Sequence, residues 1–180
     1  MNYEMLVNKT NGLDKNYIPD NLVDSLSKYK DNILLNEEAL SSFRKLQKEA
    51  KEYGYEVDIM SGYRTYNYQN NLYNNIIKEK GFNYALRSVA KPGHSEHQTG
   101  LAIDYCIYKN KKCFIEHEIE ELAETKWIHE NAHKYGFIIR YPKGKEEITG
   151  YNYEPWHLRY VGDIAIYLYN NDKTLEEYFE

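Results

Sequence analysis

Several acids, histidines and one arginine of this 180-residue chain stand where such side chains need a reason to be. Asp104 lies inside the apolar run Leu101–Tyr108, whose period-two alternation sets Ala102, Asp104 and Cys106 on one face and Leu101, Ile103, Tyr105 and Ile107 on the other. A carboxylate inside such a strand is costly unless a cation meets it. Two partners would serve, a Lys or Arg side chain or a metal ion, and the strand alone favours neither. His97 precedes Asp104 across the Gly100 turn, so both can converge on one point. A His and an Asp from adjacent elements, completed by a third ligand, build a catalytic zinc with an open position. Further on, Glu154 and His157 flank Pro155, which disfavours a regular ladder. A bend there aims both inward, one to bind metal and one to hold a water. A histidine beside Trp156 is ordinarily a packed core residue, but His97 and Asp104 need a third ligand and no other candidate has comparable surroundings. Arg64 follows Gly62 at the end of a strand-like stretch, a place suited to gripping a carboxylate or an oxyanion; a plain surface arginine is the alternative.

A rival metal pattern exists. His129-Glu130-Asn131-Ala132-His133 matches H-E-x-x-H, whose histidines share one helical face, and Glu154 would be its third ligand. On a helical wheel Ile128, Ala132 and Tyr135 form the apolar stripe, and both histidines fall on the polar side with Lys126, Glu130 and Lys134. The helix also stops at Gly136 before a strand, and this site would leave Arg64, His97 and Asp104 without a role. The His97–Asp104 site is preferred.

The elements that must hold these residues follow from caps and periodicity. Residues 1–24 read as an N-terminal arm with one strand-like piece, Glu4–Val7, and residues 25–180 as a single domain. Asn36 caps a helix carrying Ala39, Leu40, Phe43, Leu46 and Ala50 at helical spacing, which Gly54 stops. A strand over 55–60 leads through the 61–65 turn to a helix with Gln69, Leu72, Tyr73 and Ile76. A helix is expected over 119–135, a strand over 137–141, and helical segments over 163–170 and 174–179.

The chain is long enough to bury a substantial core. Its formal net charge of −5 argues against nucleic acid or an anionic membrane as partner. No apolar run reaches membrane-spanning length, and the N-terminus lacks a signal-peptide layout. The compartment stays open: the cell envelope if a leader has been removed, otherwise a cytoplasmic or phage-encoded protein. Cys106 and Cys113 flank a turn-like Lys109–Lys112, so either a disulfide or a buried free thiol is compatible with their spacing.

Three motifs, in order, are Ser61-Gly62-Tyr63-Arg64-Thr65 with Gln69, Ser95–Asp104 (S-E-H-Q-T-G-L-A-I-D) and Glu154–Tyr160 (E-P-W-H-L-R-Y). Over about residues 10–180 the chain resembles the VanY-type D-alanyl-D-alanine carboxypeptidases. That group belongs with the lysostaphin-like endopeptidases and the hedgehog zinc domain. The resemblance implies an α+β fold, a mostly antiparallel central sheet carrying a zinc site and flanked by helices. It implies one zinc per chain on His97, Asp104 and His157, with Glu154 as catalytic base and Arg64 stabilising the transition state. Gln69 and Ser95 would help Arg64 hold substrate, and Tyr141 is a further contact. The implied substrate is a peptidoglycan stem peptide losing its C-terminal D-alanine, with the protein acting as a monomer. Two rivals are an endopeptidase cutting inside the stem peptide and a zinc-containing wall-binding module without catalysis; a base at Glu154 speaks against the latter.

Overall fold

The computed structural model describes residues 2–180. A short antiparallel ribbon, β1 (Leu22–Asp24) and β2 (Leu34–Asn36), leads into helix α1 (Glu37–Glu52). The central sheet has β3 (Glu56–Ser61) on one side of β4 (Ala102–Lys109). The short β5 (Lys112–Phe114) folds back on β4, and β6 (Phe137–Ile139) and β7 (His157–Tyr160) complete the order β3-β4-β7-β6. Every strand pair is antiparallel, the α+β arrangement expected.

Helix α1 forms where its cap and stripe placed it. The Asn36 side chain accepts from the N–H groups of Glu38 and Ala39 at 3.1 and 3.3 Å, meeting donors that the first turn leaves open. Ala39, Phe43, Leu46 and Ala50 are fully buried in one cluster with Ile59, Ile103, Ile107 and Leu158 of the sheet. Removing a Phe or Leu side chain from water is worth about 1.5–3 kcal/mol, so this face fixes α1 against the sheet. On β4, Ile103, Tyr105 and Ile107 belong to that core, which leaves Asp104 to the opposite, cleft-lining face.

Helices α2 (Tyr66–Lys80) and α3 (Phe82–Ser88) pack on each other beside the cleft. Helix α4 (Ala123–Asn131) contacts α1, and the short α5 (Glu146–Thr149) precedes the Pro155 bend. The C-terminal α6 (Ile164–Asn170) and α7 (Leu175–Phe179) pack a second small core through Leu168 and Leu175. Among the described residues no helix is long and apolar enough to cross a membrane.

Two expected elements differ. Glu4–Val7 is not a strand: Val7 is buried, but the carbonyls of Tyr3 and Met5 accept from Arg159 Nη2 rather than from a neighbouring strand. The helix expected over 119–135 is divided. Leu122 is extended, so α4 starts only at Ala123. At its other end the Asn131 side chain donates to the Trp127 carbonyl at 2.7 Å, and the chain tightens into a 3-10 turn over Ala132–Tyr135. Cys106 and Cys113 are free thiols, Cys106 buried.

Candidate metal centre and active site

Strand register brings the chemistry-bearing residues together. Ser61 and His157 are the cross-strand partners of Asp104 on the two strands flanking β4. His97 arrives from a 3-10 turn, Glu96–Thr99, which Gly100 ends in the left-handed conformation (φ 72°) that returns the chain into β4. The Gly62 carbonyl accepts from His97 Nδ1 at 2.6 Å, so that nitrogen carries the hydrogen and Nε2 keeps its lone pair. Glycine is required at this point, because a Cβ would stand 2.5 Å from the Leu34 carbonyl oxygen. Arg64 N–H donates to the His97 carbonyl at 3.1 Å, which ties the end of β3 to the same turn.

His97, Asp104 and His157 each turn one donor atom to a common point, all within 4.8 Å of one another. His97 Nε2 lies 3.2 Å from Asp104 Oδ2, and His157 Nδ1 lies 3.0 Å from Asp104 Oδ1. Donors about 2 Å from a tetrahedral ion stand about 3.3 Å apart, so this spacing and the N, N, O donor set fit zinc. Asp104 Oδ1 is buried with no aligned hydrogen-bond donor, a lone pair available to a cation. Burial pushes the Asp104 carboxyl up, but His97, His157 and Arg64 outweigh it and hold it well below the usual carboxylate range. Burial and then Arg64 depress His97, which keeps it a neutral imidazole suited to ligation. Burial also opposes charge on His157, yet the Asp104 and Glu96 carboxylates prevail and raise it to about 9.

Around this point the other candidate residues line one cleft of about 950 Å³. Arg64 Nη2 donates to Asp104 Oδ2 at 2.6 Å and to Ser61 Oγ at 2.9 Å. Asp104 therefore meets an arginine as well as two possible co-ligands, and both sequence readings of its partner find their atoms here. Glu154 Oε2 is 3.6 Å from His157 Nδ1 across the Pro155 bend, with the His157 N–H bonded to the Glu154 carbonyl at 3.2 Å. Burial lifts the Glu154 carboxyl to about 7. Gln69 is buried and donates from Nε2 to the Ala90 carbonyl at 2.8 Å, while its Oε1 has no hydrogen-bond partner among the described residues. Ser95 is buried on the cleft wall, and the Tyr141 ring lies 4.9 Å from that of His157.

The sequence profile of the VanY family, described as D-alanyl-D-alanine carboxypeptidase, matches residues 32–163. The chain belongs to the VanY family. YodJ of Bacillus subtilis (strain 168) is 46% identical over 181 residues, covering 97% of this chain and 66% of that relative. Among solved structures, the LdcB LD-carboxypeptidase shares 45% identity at a TM-score of 0.88, covering 97% of this chain and 84% of that one. A VanY D,D-pentapeptidase variant from a VanB-type resistance cassette, in complex with Zn(II), shares 31% identity at a TM-score of 0.82, with both chains covered in full.

The H-E-x-x-H histidines of this VanY-family chain stand apart from the cluster. His129 is half-buried rather than facing solvent with the polar side of the wheel, and its Nε2 bonds the Pro155 carbonyl at 2.9 Å. His133 stacks on Tyr169 with ring centroids 3.7 Å apart. Sequence reasoning missed a buried ion cluster behind the cleft. Glu96 Oε1 accepts from Arg140 Nε and Arg159 Nη1, each at 2.7 Å, and Arg140 also holds Glu176 at 2.6 and 2.8 Å. A signal existed: Arg140 and Arg159 follow or interrupt apolar strand segments, as Asp104 does, and each needed a carboxylate.

Proposed function

We propose that this protein is a zinc-dependent carboxypeptidase that removes the C-terminal D-alanine from peptidoglycan stem peptides. Membership of the VanY family and similarity to a D,D-pentapeptidase and an LD-carboxypeptidase support this reading. The observation that carries it is the meeting of His97, Asp104, His157 and Glu154 on one wall of an open cleft. In this reading His97 Nε2, Asp104 and His157 Nδ1 are the ligands. When bound, zinc with three protein ligands supplies a Lewis acid beside the scissile carbonyl and a water acidic enough to ionise near neutral pH.

Glu154 accepts the proton of the attacking water and passes it to the departing amine of D-alanine. Its carboxyl is placed for both steps, with Oε2 lying 3.6 Å from His157 Nδ1 at the edge of the cluster. Arg64, one-fifth exposed to the cleft, donates to the oxygen that becomes negative as the carbonyl is attacked. Gln69 and Ser95 help orient the substrate's terminal residue, and Tyr141 flanks His157 against it.

Mass-spectrometric analysis of tetrapeptide and pentapeptide stems tests the proposal. The expected product is a stem shortened by one D-alanine. Amidating the terminal carboxyl should slow cleavage by at least about 10-fold, the size of a lost charged hydrogen bond. Equal rates on free and amidated stems, or cuts inside the stem, would favour the endopeptidase reading.

A further inference from the structure

We propose that Glu96 is a positioning residue: its Oε2 accepts the Nε2 hydrogen of His157 and so commits Nδ1 of that ring to the metal. The inference rests on the zinc reading above and concerns a residue outside the ligand set. Glu96 Oε2 and His157 Nε2 face each other at 3.6 Å, a few tenths of an ångström beyond hydrogen-bond length. Both atoms are buried, and neither has a hydrogen-bond partner among the described residues. Two buried polar atoms left over in this way, one a potential donor and one an acceptor, answer each other.

The other oxygen of Glu96 explains why this carboxylate is so well placed. Oε1 is held between Arg140 Nε and Arg159 Nη1, each at 2.7 Å, so the group cannot swing away. The two guanidiniums are fixed in turn. Arg140 reaches Glu176 through both terminal nitrogens, and Arg159 Nη2 reaches the Tyr3 and Met5 carbonyls at 3.0 and 2.7 Å. The two histidines are thus oriented oppositely. His97 gives its Nδ1 hydrogen to a backbone carbonyl and turns Nε2 to the cluster, whereas His157 turns Nε2 to a carboxylate and Nδ1 to the cluster. A carboxylate behind a ligating imidazole fixes the tautomer and strengthens the ligand.

The test is zinc affinity by chelator competition, together with ¹⁵N spectra of the histidine side chains in the zinc-loaded protein. Glu96→Gln should raise the zinc Kd by about 10–100-fold, the usual effect of losing such a partner. Glu176→Gln loosens the same ion cluster without touching His157 and should change the Kd by less than about 3-fold on that basis. In wild-type protein the His157 Nε2 proton should exchange slowly, and in Glu96→Gln it should exchange faster and move upfield. Equal zinc affinity in Glu96→Gln and wild type, or an equal loss in both variants, would overturn the proposal. Should Glu96→Gln fail to fold, the wild-type spectrum decides: a His157 Nε2 proton exchanging as fast as that of an exposed imidazole contradicts it. Wild-type protein that takes up no zinc would instead refute the metal reading on which the proposal stands.

Discussion

Glu154 and Glu96 are both carboxyls beside His157, yet their neighbours push them in opposite directions. Burial raises Glu154 to about 7, with His157 and Arg64 opposing it only in part. Burial would raise Glu96 as well, but Arg140 and Arg159 outweigh it and hold that group well below the usual carboxylate range. The two environments push the carboxyls apart, Glu154 toward exchanging a proton and Glu96 toward staying a fixed acceptor. Glu154→Gln keeps the size of the side chain and removes the proton acceptor. Zinc content should stay near wild type while turnover at saturating peptide falls about 10²–10⁴-fold, the range of general acid–base catalysis. Loss of zinc in that variant would make Glu154 a ligand, and unchanged turnover would remove it from the chemistry.

Among the elements, those with a cap and an unbroken period were readable from sequence. Helix α1 was, because Asn36 and the Ala39-Phe43-Leu46-Ala50 stripe state both its start and its buried face. Strand β4 was, because its alternation survives in the fold with Ile103 and Ile107 in the core. The ribbon β1–β2 and strand β5 were not, since three residues carry no period. Helix α3 lacks a side-chain cap, which left it without a start signal. Helix α4 was over-extended because local pattern does not reveal that Asn131 would take the Trp127 carbonyl. That helix has a use the wheel did not disclose: His129 braces the bend between Glu154 and His157 through the Pro155 carbonyl. Burial depresses His129, with the Pro155 bond opposing only in part, so the fold holds it neutral below the ordinary value of 6.5. The unfolded chain therefore binds the extra proton first, and stability should fall as pH drops below about 6.5. Thermal unfolding across pH 7.5 to 5 checks this: His129→Gln, which cannot titrate, should show a shallower decline than wild type. Identical slopes would mean that His129 does not carry the dependence.

Over the whole molecule, the N-terminal arm and the C-terminal helix meet at the back of the site. Arg159 draws in the arm through Tyr3 and Met5, and Asn8 Nδ2 donates to Glu176 Oε1 at 3.2 Å. Nothing in local spacing announces contacts between the N-terminal arm and α7, so the ion cluster was illegible, while the meeting of His97, Asp104 and His157 was readable because Asp104 sits inside an apolar strand and demanded partners. Deleting residues 2–8 removes two acceptors from a buried guanidinium, at about 1–3 kcal/mol for an unmet buried group. The melting temperature should fall by roughly 2–12 °C, at about 2–4 °C per kcal/mol for a chain of this size. An unchanged melting temperature would show that the arm contributes no stability. The central claim, that His97, Asp104 and His157 form the metal centre, is tested most directly by zinc stoichiometry in purified wild type, His97→Ala and His133→Ala. About one zinc per chain is expected in wild type and in His133→Ala, with most of it lost in His97→Ala. Full zinc in His97→Ala and its loss in His133→Ala would contradict the assignment and return the metal to the H-E-x-x-H helix.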